Sequence, residues 1–165
     1  MIMIFRYEDL LNGMIRKYSW ADKEQNRIVF YLPKNEYRAR QEFYWVDESR
    51  KLHNVEYVDT TQMLELPTIH PGHIESTYIH ENRQKLDEII QRYDLLKYLD
   101  VCYPLYVQAE RNDVLYKKGL KLWGDFLRAC EENEWLEDEY DRYESEYEER
   151  IVQNWCQQHG IEYQR

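Results

Sequence analysis

Three histidines and a carboxylate fall in one short stretch: His70, His73, Glu75 and His80. Imidazole nitrogens and a carboxylate oxygen can hold zinc at about 2 Å in tetrahedral array, and zinc-bound water is a hydrolytic nucleophile. The set therefore defines one reading, a metal-dependent hydrolase. The spacing argues against it. His73 and His80 would share a helix face but stand about 10 Å apart along its axis. His70 precedes Pro71 and serves equally well to shape the chain ahead of a helix. His80-Glu81-Asn82-Arg83-Gln84 lacks the second histidine of a zincin.

Thiols offer a second chemistry. A nucleophilic cysteine needs a lowered pKa and a neighbouring base. Cys130 and Cys156 fall on the apolar side of predicted helices, and near Cys156 only Gln157 and Gln158 accompany His159. Both read as small buried hydrophobes. Together with Cys102 they make three widely spaced cysteines with no C-x-x-C, which supports neither a disulfide framework nor a zinc ribbon and suits a reducing cytoplasm. No phosphate-loop, dinucleotide or nucleophile-elbow pattern occurs. No catalytic residue and no cofactor is assigned, and an enzyme is disfavoured.

The strongest anomaly is charge. Residues 125–149 carry twelve acids and two bases, which sums to −10, the formal charge of the whole 165-residue chain. Trp135, Leu136, Tyr140, Tyr143 and Tyr147 interrupt the run, so it reads as a folded acidic helix with an aromatic face. The run has no glycine beyond Gly124, which excludes an EF-hand loop. An acidic chain is poorly suited to binding nucleic acid or an anionic membrane directly, and no apolar run reaches transmembrane length. A basic protein partner fits better: a toxin, a nucleic-acid-binding protein or another subunit. The contacts expected to carry it are Glu137, Asp141, Glu144 and Glu148, with Tyr140 and Tyr147 as anchors. The competing reading is a plain solvated face opposite a tyrosine-rich core stripe. Sixteen tyrosines leave room for both.

These residues must be positioned by regular elements, and the scarcity of Gly (five) and Pro (four) favours long elements with short connections. Phe5, Leu10, Leu11, Met14 and Ile15 predict an amphipathic helix over 6–17. Strands are predicted at 18–20 and 27–32, joined by a polar turn in which Asn26 takes a left-handed conformation, and closed by Pro33. Further strands are expected at 42–46, 55–58 and 62–66. Beyond residue 70 the apolar period becomes helical: Leu86, Ile89, Ile90, Tyr93 and Leu96 mark one face. Pro104 suits a helix start, and Leu120, Trp123, Phe126, Leu127 and Cys130 form another stripe. The last helix carries Leu136, Tyr140, Tyr143, Tyr147, Ile151 and Trp155, and stops at Gly160 with Ile161 following. The reading is one α+β domain, strand-rich over 18–67 and helical over 72–160: a small N-terminal antiparallel sheet packed by four to five helices.

This order of elements resembles a bacterial group catalogued as uncharacterised protein family 0158. Its members begin with an amphipathic helix and a hairpin of the type Tyr-x-Leu-Asp-x-x-x-Gly-x-Ile/Val. They pass through an extended segment ending in Leu-Pro and finish in Trp-Cys/Leu-x-x-x-Gly-Ile. Tyr18 to Asp22 with Asn26 to Val29 matches the hairpin, with Asn26 in place of the glycine. Glu65-Leu66-Pro67 matches the middle, and Trp155-Cys156 through Gly160-Ile161 matches the end. The resemblance implies a fold and a bacterial origin; it brings no activity and no catalytic residue.

Overall fold

The computed structural model describes residues 4–16, 18–32, 42–55, 58–96 and 113–165, with backbone alone for 113–119. Pro33, Cys102 and the helix start expected at Pro104 lie outside the described residues. The chain divides into two compact units, residues 1–69 with 148–165, and residues 70–147. The fold is α+β, with the sheet N-terminal and most of the helix C-terminal.

In the first unit, β1 (Phe5–Arg6) leads into α1 (Tyr7–Ile15). Five strands then follow: β2 (Ser19–Asp22), β3 (Arg27–Leu32), β4 (Glu42–Val46), β5 (Leu52–Val55) and β6 (Leu64–Glu65). They form one antiparallel sheet in the order β5-β4-β3-β2-β6. The β2–β3 hairpin pairs Asp22 with Arg27 across a turn in which Asn26 adopts φ 54°, as its short polar side chain allows. β5 occupies Leu52–Val55, where the Asp47 turn fixes the register; residues 56 and 57 of the strand expected at 55–58 lie outside the described residues. Asp47 Oδ1 accepts from the backbone N–H groups of Ser49 and Lys51, both at 2.9 Å, and pairs Val46 with Leu52.

Helix α1 lies close on the sheet because residue 13 is glycine. A Cβ there would meet Ile28 Cγ2 and Leu66 Cδ1, each at 2.7 Å. Leu10, Met14, Ala21, Val29, Phe30 and Leu66 are buried in this unit. The chain end returns to it: β7 (Tyr163–Gln164) pairs parallel with β1, and Trp155 Nε1 donates to the Glu65 carbonyl at 3.2 Å.

The second unit is helical. It holds α2 (Pro71–Glu81), α3 (Asp87–Arg92), α4 (Asp113–Glu132) and the first half of α5 (Glu134–His159). Phe126 and Tyr140 stand seven residues either side of Asn133. Along a continuous helix they would be about 21 Å apart. Their rings meet edge-on at 5.0 Å, so α4 and α5 fold back on one another at Asn133. The core gathers Tyr78, Ile79, Leu86, Ile89, Ile90, Tyr93, Leu122, Phe126, Cys130 and Leu136.

Two expected stripes are out of phase here. Leu95 is buried and Leu96 is exposed, because Asp94 at φ 55° breaks the helical repeat after α3. On α4 the inward row is Leu122, Phe126, Ala129 and Cys130, while Leu120, Trp123 and Leu127 face outward. Both rows have helical spacing, so periodicity alone does not choose between them. The helix ends on Gly160 as expected, in a Schellman arrangement. Gly160 has φ 62°, and Ile161 N–H donates to the Cys156 carbonyl at 2.9 Å.

Candidate functional site

The histidine set does not assemble. His70 holds the N-cap position of α2, its carbonyl accepting from the His73 and Ile74 N–H groups at 2.9 and 3.2 Å, with Pro71 in the first turn. His80 is exposed at the helix's other end. Among the described residues no three His, Cys, Asp or Glu side chains lie where one metal ion could take them. Burial, and then the charge of His70, push the His73 imidazole below its ordinary range.

Glu75 goes inside. Six consecutive residues of α2, Ile74 to Ile79, are buried, so no solvent face remains there and the carboxyl is carried into the interior. It is 4% exposed, and burial followed by the charge of Glu144 raises its pKa to about 8. At neutral pH it is a protonated core acid, the opposite of what a metal requires. Cys130 nearby is pushed up to about 12, by burial first and Glu75 next, and Cys156 to about 11 by burial. Both thiols are free, buried and unreactive, as expected for structural cysteines.

The acidic run sits on the end of α4 and the first half of α5. Glu137 and Asp141 are exposed, Glu144 is half-buried, and Glu148 falls in the first unit. The tyrosines turn inward. Tyr140 packs between Phe126 at 5.0 Å and Tyr78 at 5.3 Å, and its hydroxyl donates to Glu144 at 3.1 Å. Burial and then the Glu144 charge raise its pKa. Tyr147 lies 6.2 Å from Tyr143, whose hydroxyl donates to Glu81 at 3.1 Å. Tyr140 is thus half-buried and packed against the core, with its hydroxyl engaged by Glu144.

On α4 and α5, Leu120, Trp123, Leu127 and Trp135 reach solvent, at 49, 50, 42 and 48% exposure. The first three follow i, i+3, i+7 spacing, one outward row. Glu131 continues it one turn on, while Glu134 and Asp138 flank Trp135, and all three acids are exposed. The sequence contains the signal for this surface in two apolar rows on one helix, since only one of them can face the core. Among the described residues no helix is long and apolar enough to cross a membrane. No family model, curated protein or solved structure matches the chain.

Proposed function

We propose that this is a non-enzymatic bacterial, cytoplasmic binding protein whose helical unit takes up a basic, amphipathic segment of another protein. Membership in uncharacterised protein family 0158 belongs to the same proposal. The observation that carries the reading is the outward row Leu120, Trp123 and Leu127, three large apolar side chains about half exposed, with Glu131 one turn beyond them. Tryptophan is the residue type most enriched among interface hot spots, and a leucine pair beside it makes a shallow apolar seat. Glu131, Glu137, Asp138 and Asp141 would meet lysines or arginines of the partner. Glu137 and Asp141, like charges one turn apart, steer a cation better than they stabilise their own helix. The two buried free thiols suit a reducing compartment.

The test is titration of a synthetic helix with leucines on one face and lysines on the other, followed by fluorescence anisotropy. Binding should weaken steeply with added salt, because these exposed charges are screened within about 10 Å at 0.1 M and about 3 Å at 1 M. Trp123→Ala should weaken binding by about 2 kcal/mol, roughly thirtyfold. Tyr140→Phe should leave it unchanged. Salt-independent binding, or full affinity in Trp123→Ala, would remove the reading.

A further inference from the structure

The outward row of α4 contains a residue that the fold of this chain does not explain. Gly124 stands between Leu120, Trp123 and Leu127, is itself exposed, and a Cβ built there would meet nothing within 4 Å. A helix interior disfavours glycine relative to alanine, and among the described residues none presses on this position. Next to a half-exposed tryptophan, the missing side chain leaves a notch beside a ridge.

That surface is complementary to itself. Let two α4 helices run antiparallel about a two-fold axis between residues 123 and 124. Leu120 of each copy then comes opposite Leu127 of the other, and each Trp123 opposite the other Gly124, so ridge meets notch twice, as an isologous contact requires. Parallel helices would set Trp123 on Trp123. Charge follows the antiparallel register too. Lys121 and Asp125 lie on one flank of the row, only 3.5 Å apart at their closest atoms within a chain, with the Lys121 side chain 58% exposed. Across the two-fold axis, Lys121 of each copy is level with Asp125 of the other to within one residue, about 1.5 Å of rise.

We propose that α4 is a self-association surface, through which two copies of this chain pair antiparallel by Leu120, Trp123, Gly124 and Leu127. The same row is the seat offered above to a basic helix. The copy therefore covers that seat, and a basic helix must displace it; this displacement rests on the earlier reading, whereas the pairing itself does not.

Sedimentation equilibrium of the full chain, at about 0.1 and about 1 M salt, tests the pairing. Two chains of net charge −10 repel one another, so the dimer should tighten as salt screens them, the reverse of the dependence expected for a basic helix. Gly124→Gln fills the notch while favouring the helix. It should leave the thermal melt unchanged or higher and weaken the dimer by about tenfold or more, as overpacking does. Oxidising a mixture of Leu120→Cys and Leu127→Cys chains tests the register. The mixed disulfide should exceed either homodimer, because identical positions stand seven residues, about 10 Å, out of level. A chain that stays monomeric at about 0.5 mM and high salt overturns the proposal, as does a dimer undiminished in Gly124→Gln, or homodimers forming as readily as the mixed species. A dimer that takes up no synthetic helix removes only the earlier reading, and helix uptake by a strictly monomeric chain removes only this one.

Discussion

Asp22 in the sheet unit and Glu75 in the helical unit are almost equally buried, at 5 and 4% exposure, yet they are treated in opposite ways. Asp22 ends β2 where a turn begins. There it accepts from the Gln25 N–H at 3.2 Å and from Arg27 at 3.3 Å, so protein donors replace the water it lost. Glu75 sits in the middle of a helix whose own N–H groups are already used, and the nearest charge influencing it is another carboxylate, Glu144. Burial alone does not decide whether a carboxylate keeps its charge. What matters is whether the backbone around it has donors left to give, which a turn does and a helix interior does not.

The largest expected effect comes from removing the ionisable group on the helical side. The folded chain holds the Glu75 proton up to about pH 8, whereas the ordinary value is 4.5. Folding therefore takes up a proton between these values. The contribution of Glu75 to stability is intact below about pH 4.5 and is lost progressively as pH rises toward 8. Glu75→Gln, which mimics the protonated form, should match the native chain near pH 5 and exceed it above pH 8 by a few kcal/mol, since each tenfold change in proton affinity is worth about 1.4 kcal/mol. Paired denaturant titrations across that range measure the difference. A gap that does not widen with pH would show that Glu75 is ionised in the fold.

The opposite sign is expected for Asp22. Asp22→Ala leaves the Arg27 guanidinium, whose side chain is only 15% exposed, without its counter-charge. Breaking such a pair costs about 3 kcal/mol. The same denaturant titrations should therefore show a clear loss at neutral pH, where Glu75→Gln is neutral or stabilising. A loss below about 1 kcal/mol, the range of exposed pairs, would mean that Arg27 is solvated well enough on its own.

How far each unit can be read from sequence follows from the same contrast. The sheet unit is specified by local chemistry: a polar turn with Asn26, strands rich in β-branched and aromatic residues, and Gly160 with Ile161 at the helix end. These are legible, and β3 and β4 fall on the residues expected. The seating of α1 is not, because Gly13 lets it settle on β3 only once the sheet is formed. In the helical unit the existence of helices is legible but their rotation is not. The rows Leu120/Trp123/Leu127 and Leu122/Phe126/Cys130 obey the same period, and tertiary contact chooses the second. The charged run makes Tyr140 look like a surface anchor, although it is half-buried and packs its ring against Tyr78 and Phe126.

The smallest effect concerns the helix that begins in one unit and ends in the other. At its start in the helical unit, Asn133 is bound by side chain and backbone. Its Nδ2 donates to the Ala129 carbonyl at 2.8 Å, and its carbonyl accepts from Leu136 N–H at 3.0 Å. At its end in the sheet unit, Gly160 has no side chain to bond, and a Cβ there would meet nothing within 4 Å. Gly160 matters only because its φ of 62° is unfavourable for an L side chain. Gly160→Ala should therefore cost about 1 kcal/mol, from backbone conformation alone. Gly160→Asn should cost less, since asparagine tolerates the left-handed region. Thermal melts of the two variants measure this. Equal losses would mean that the bulk of a side chain matters at this end, and the two ends of the helix would then be held in the same way, by side-chain contacts.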